Sequence, residues 1–447
     1  MPAYVSFRWR SSRFALSAFF AVMPAANAAE SPEESPGQGS TRPATVPAGL
    51  SDDLTVWPNK VSYRNSDPWI WQNHDRIREM RPRVLVLNFA NDVDMPGIQE
   101  RTDKLIKALA ESTRYHGFKD PDAPAFLRYE VAKYVDMRDR PVPPERLHKN
   151  SAFLPLKPDG PKDFGCDYGT FYGDAFARFY GFQDPRNDRR YLNLHELINA
   201  GVVHELWFYA IHEYEVGWPA FEVTEFKQYY DDQCRPIEGK HGPAGNGHDD
   251  SMPWSGRSFR MAFFNPHRGT GCQMENFGHG LEAYANHNAI GYWRKYFREF
   301  AELNLDERFK LPFSSLYEMP YGRDNVVSYP TATTMKIKHH DQEYTVEPYI
   351  AVGGNAHWPP GARHHYDLDS SYTVKSTIEN YRLRNGPDGK DKVLDFNKEK
   401  YAPYRKTVPD CMGAWMVFWR QCMPGLDNKC VDDDGKPMKN WWVFLFY

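Results

Sequence analysis

Residues 257–287, RSFRMAFFNPHRGTGCQMENFGHGLEAYANH, gather acid, base and ligand groups within one short stretch of a 447-residue chain. Asn265, His267 and Arg268 follow an apolar run at 259–264, and His279 and Glu282 follow on a helical pattern. Three residues apart, His279 and Glu282 lie about 60° apart on one helix face and about 4.5 Å apart along the axis. They could be two ligands of a divalent metal, with His357, His267 or Glu222 completing a set of three or four. They could equally be a buried hydrogen-bonded pair that locks the helix to a sheet. No HExxH occurs, because His204-Glu205 and His212-Glu213 lack the second His.

A second chemistry needs carboxylates. Glu222 and Glu282 are a candidate pair, one kept protonated as an acid by apolar surroundings, the other a base or nucleophile. Trp218, Phe221 and Tyr284, nearby in sequence, suit a cleft for sugars. Glu222 could instead cap or salt-bridge a loop. Arg268, at the start of the helix, could clamp a substrate anion with Asn265 beside it, or bridge to acidic strand ends. His357 precedes Trp-Pro-Pro, which holds the following backbone extended. It is a candidate base or ligand, with His364 and His365 as rivals and Asp367 to orient one of them. Asn88, ending the first strand, is a further candidate substrate contact. His248, Asp249 and Asp250, in a Gly-rich loop, read as a solvated tip.

Those residues must be held by strands and helices. Apolar runs at 82–89, 126–137, 203–210 and 259–264 read as strands, and 98–115 and 174–200 as helical. Thr270 and Gln273 have capping-box spacing at the start of the last helix. Strands alternating with helices predict an α/β fold with a mostly parallel sheet, flanking helices, and ligands at the carboxyl ends of its strands. The polar stretch 229–251 reads as a loop and the terminal NWWVFLFY as a buried strand. After residue 310 Pro, Tyr, His and Gly are frequent and helical periodicity weakens, so 51–310 reads as the α/β domain and 311–447 as an extension packing on it.

Residues 1–28 have a basic start, a short apolar run and an Ala-Asn-Ala site, the pattern of a secretory signal peptide. Residues 29–50 resemble a disordered leader. A periplasmic or extracellular location follows, with no membrane span. Net charge is −4 and no basic block occurs after residue 28, which gives nucleic-acid binding no electrostatic support. Aromatics make up 15% of the chain, enough for a large aromatic core or a ring-lined cleft for a polymeric or small-molecule substrate. Six cysteines allow up to three disulfides in an exported chain, and Cys422 and Cys430 flank a Pro-Gly turn that suits a local bridge. GxGxxG, GxxxxGK[ST] and GxSxG are all missing, which counts against a dinucleotide, a nucleotide hydrolase and a serine hydrolase.

The blocks VLVLNF, NAGVVHELWFYA followed by Glu222, FNPHRG with FGHGLEA, AHWPPG with HHYDLD, and the terminal NWWVF occur in that order. In this the chain resembles a family of uncharacterised exported bacterial proteins with FN-x-x-RG/FGH-x-x-E, H-x-PP and NWW motifs, over residues 82–447. Gly280 and Gly361 stand where that family has Arg and Asn. The resemblance implies export and a site built from these blocks, and it brings no reaction with it. Three functions follow from the residues: a hydrolase or lyase of a glycan or cell-wall polymer using Glu222 and Glu282 with His279 and His357 assisting; a metal-dependent hydrolase of peptides or amides with His279, Glu282 and His357 as ligands; and a non-enzymatic glycan-binding or envelope protein.

Overall fold

Six strands form the main sheet: β1 (Arg83–Asn88), β2 (Glu130–Asp136), β3 (Glu205–Tyr209), β4 (Val223–Tyr230), β5 (Pro236–Pro243) and β6 (Phe259–Phe264). Their order in this computed structural model is β2-β1-β3-β6-β4-β5. The four strands expected from apolar runs pair in parallel, with Val86 opposite Trp207 and Trp207 opposite Ala262. β4 and β5 are antiparallel, so the sheet is mixed. β5 falls where a loop was expected: its EGKH stretch is an exposed edge, and polar residues blunt such an edge. The structure describes residues 47–141, 149–157, 165–212, 218–247 and 251–447. The expected signal peptide, the leader as far as residue 46, Glu213, and His248, Asp249 and Asp250 lie outside the described residues.

Alternate residues of each strand face opposite sides. Val84, Val86, Trp207, Tyr209, Ala262 and Phe264 pack beneath α1 (Met95–Ser112) and α2 (Thr270–Asn286). Leu85, Leu87, Leu206, Phe208, Met261 and Phe263 pack against Tyr168, Phe171, Leu194 and Leu197. Burial on both faces explains why β1 and β3 read as unbroken apolar runs. The helical cover is uneven. α1, α2, α3 (Gly291–Phe300) and α4 (Gly413–Gln421) share one face, while the 174–200 region, expected to be helical, is two short helices around a β-ribbon on the other.

The described residues belong to one compact unit. Its C-terminal part sends Trp415, Trp419 and Trp441 into the core that holds α2. The terminal run is a 3₁₀ helix, Trp441–Phe446, and fully buried, where a strand was expected.

α2 is buried nearly all round, and its buried residues include Gln273, Glu275, Asn276 and Glu282. Polar side chains at such depth need partners, because desolvation without a hydrogen bond costs about 1–3 kcal/mol. Asn276 donates to the Phe263 carbonyl at 2.9 Å and fixes the helix to β6. The helix start departs from the expected capping box: the N-cap is Gly269, with no side chain to offer. Asp410, from the far end of the chain, accepts instead from the Gly271 N–H at 3.0 Å and the Cys272 N–H at 3.4 Å. Cys272 is disulfide-bonded to Cys411 with Cα atoms 5.2 Å apart, while Cys422 and Cys430 remain free and buried.

Candidate functional site

A cavity of about 460 Å³ opens beside α2, lined by Glu222, Asn246, His279, Glu282, Tyr317 and His357 among others. α2 sets three of the polar groups on one face, with Glu275, His279 and Glu282 at helical spacing. His357 arrives on the extended Asn355–Trp358 turn, closed by reciprocal backbone bonds of 3.2 Å between those two residues.

Glu282 faces into the protein. It is 5% exposed. Its carboxylate accepts from His279 Nδ1 at 2.9 Å, from Tyr317 OH at 2.8 Å and from the Ala356 N–H at 2.9 Å. With Nδ1–H given to Glu282, a neutral His279 presents a bare Nε2. A second chain of bonds fixes His357. His365 Nε2 sits 3.0 Å from the Met319 carbonyl, so that nitrogen must donate. Burial pushes the His365 imidazole down to about 4, so it is neutral at pH 7 and its Nδ1 accepts. His357 Nδ1, 3.1 Å away, therefore donates, which leaves His357 Nε2 bare as well.

The two Nε2 atoms converge at 3.0 Å, and Glu275 Oε1 lies 3.1 Å from that of His357 and 3.7 Å from that of His279. With both imidazoles neutral, two lone pairs and a carboxylate at these distances repel each other; a proton on His279 Nε2 or a metal ion between the three atoms relieves this. A point equidistant from the three atoms lies about 1.9 Å from each; an ion slightly off their plane sits at the usual zinc–ligand distance of about 2.0–2.2 Å. Glu275 Oε2 is buried with no protein partner. The surroundings favour positive charge. Burial works against a charged His279, but the charge of Glu222 and the bonds to Glu275 and Glu282 outweigh it and hold the imidazole well above its usual range. Burial would also raise Glu275, yet its bonds to His279 and His357 bring it down to about 2.

Glu222 and Glu282 are the carboxylates lining the cavity. Glu222 Oε2 accepts from Asn246 Nδ2 at 2.9 Å, and its other oxygen is uncommitted in the hydrogen bonds of the described residues. Tyr366, with its ring 4.1 Å from that of His357, has a left-handed backbone (φ 63°), which bulky side chains rarely adopt.

The other expected residues lie elsewhere. Asn88 closes its own turn, donating to the Val93 carbonyl at 2.7 Å. Asn265 accepts from the His267 N–H at 2.9 Å. Arg268 lies over the Trp218 ring at 5.5 Å, and His267 pairs with Asp92 at 2.7 Å. Asp367 holds the Arg363 side chain, at 2.6 Å from Nε. None of these lines the cavity, whose wall includes Glu222 at the start of the antiparallel β4. Tyr284 is fully buried and donates to Glu225 at 2.8 Å, so the rings at the cavity are Tyr317, Tyr321 and Tyr366. Glu275 is the group missed in the sequence, although Glu-x-x-x-His puts it one turn before His279.

No known protein family, curated protein or solved structure matches the chain. Among the described residues no helix is long and apolar enough to cross a membrane.

Proposed function

We propose that the protein is an exported metal-dependent hydrolase of peptide or amide bonds, with Glu275, His279 and His357 as ligands. The observation that carries this reading is the convergence of two imidazole nitrogens and one carboxylate oxygen, each imidazole fixed from its far side. Ligating histidines are characteristically held by such outer partners, here Glu282 and His365. Two nitrogens and an oxygen suit zinc and leave a coordination position open towards the cavity. A metal there would polarise a carbonyl and lower the pKa of water. Glu222, across the cavity, would accept the proton from that water, and Tyr366 would form a wall.

A carboxylate pair of Glu222 and Glu282 is supported less well, because both Glu282 oxygens are taken by His279, Tyr317 and Ala356. The export part rests on the leader pattern and on the Cys272–Cys411 bond, which suits an oxidising compartment. The test is calorimetric titration of the purified, chelator-stripped chain with zinc. One equivalent should bind, and Glu275→Gln and His357→Ala should each abolish binding at micromolar zinc. A wild-type chain that takes up no metal, or variants that bind as wild type does, would remove the reading.

A further inference from the structure

A second cavity, about 420 Å³, adjoins the first and shares Glu282, Asn286 and Tyr317 with it. Its other polar wall comes from Arg294 and Arg298 of α3 and from Ser314 and Glu318. Most charges here are matched. Arg298 pairs with Glu307 at 3.0 Å, and Glu318 accepts from the Ser314 N–H at 2.8 Å. Arg294 differs. Among the described residues its bonds go to backbone carbonyls: Nη1 donates to Ala285 at 2.8 Å and to Asn286 at 3.4 Å. Those bonds place the guanidinium at the C-terminal end of α2 and leave Nε and Nη2 uncommitted. A guanidinium has five donors in a planar fork that matches a carboxylate in two-point contact. A half-buried, unpaired arginine in a concave wall is therefore suited to an anion.

α2 also sets the distance. His279 lines the first cavity and Asn286, seven residues on, lies on the shared wall; the rise is about 1.5 Å per residue, so the arginine end lies about 10 Å along the axis from the triad. That is roughly the length of three residues of extended peptide. We propose that the second cavity receives a carboxylate of an extended peptide substrate, held by Arg294 while a bond about three residues away lies over Glu275, His279 and His357. This deepens the metal-hydrolase reading by naming its substrate class: short peptides, or peptide stems of a polymer, that carry a carboxylate at that spacing.

The test is calorimetric titration of the full chain, loaded with zinc, using tetra-alanine with a free C-terminal carboxylate and the same peptide as its C-terminal amide. The free acid should bind at least tenfold more tightly. Arg294→Gln should remove that preference and Arg294→Lys should retain part of it, with zinc stoichiometry unchanged in both, which reports an intact triad. Equal binding of acid and amide by wild type, no binding of the acid, or a preference that survives Arg294→Gln overturns the proposal; the last outcome assigns the carboxylate to the metal. Failure of wild type to bind zinc removes the hydrolase reading, while the two peptides still report on Arg294.

Discussion

Replacing Glu282 with Gln separates a residue that holds a ligand from one that is a ligand. In the native site Glu282 is acceptor-only, accepting hydrogen bonds from His279 Nδ1, Tyr317 OH and the Ala356 N–H. Gln keeps one acceptor, which the Ala356 N–H and the tyrosine hydroxyl retain through the Oε1 position. The amide –NH₂ then takes the Oε2 position and meets the Nδ1–H of His279, donor against donor. His279 relieves the clash by moving its proton to Nε2, the nitrogen that faces Glu275 and His357. A metal must now displace that proton or accept a turned ring. Loss of such an outer partner weakens metal binding about 10–100-fold, which is about 1.4–2.7 kcal/mol. Competition titration against a fluorescent zinc chelator reads the constant, and nitrogen chemical shifts of His279 read the tautomer. Tyr317→Phe should cost much less, since it leaves the acceptor of His279 in place. If Glu282→Gln abolishes binding while Glu275→Gln leaves it intact, the two carboxylates have been assigned the wrong way round. If Glu282→Gln binds with wild-type affinity, the tautomer argument fails.

Glu222→Gln should leave zinc affinity within about threefold of wild type and, with a hydrolysable peptide, lower kcat about 10²–10⁴-fold, as expected for a general base; an unchanged kcat would clear Glu222 of that role. Acid should destabilise the fold through His74 and His204, both fully buried and pushed by burial down to about 3. The unfolded chain binds their protons below about 6.5 while the fold does not, so stability is complete above that pH and falls as pH drops towards 3, by up to about 2.7 kcal/mol per pH unit for the two together. Thermal unfolding at pH 7, 5.5 and 4.5 measures this, and a flat Tm would contradict it. Cys272→Ser should cost about 4–5 kcal/mol on chain-entropy grounds, because the bond closes a loop of 139 residues. Urea melts of the variant against the oxidised wild type should show it, and coincident melts would place the bond's effect elsewhere.

β1 and β3 were legible because burial on both faces leaves the runs VLVL and LWFY with no polar interruption, whereas the edge strand β2 is half-exposed and shows only partial alternation. β5 was not legible, since an exposed edge strand with Glu, Gly, Lys and His looks like a loop. His279 and His357 were legible as chemistry, one from its helical spacing with Glu282 and the other from the stiff Trp-Pro-Pro after it. Which carboxylate serves which imidazole was not, because His279 lies within reach of both Glu275 and Glu282 on one helix face and only the incoming His357 distinguishes them. Arg268 and Asn265 were drawn towards the site by an expectation about strand ends. The cap of α2 was out of reach altogether, because local spacing offers Thr270 and Gln273 while the fold uses Asp410.

The cap and the disulfide make the site a late product of folding. Its ligands come from points 78 and 82 residues apart along the chain, and the first turn of the helix that carries two of them is completed only when Asp410 docks. Contacts so distant in sequence must overcome the entropy of closing long loops before they return any stabilisation, so they form slowly. A chain whose sheet is already paired but whose last hundred residues are still loose would have every strand in register and no place for a metal. Once Cys272 and Cys411 are joined, re-forming the pocket after a local opening becomes a short-range event, so oxidation would raise the rate of recovery as well as the stability.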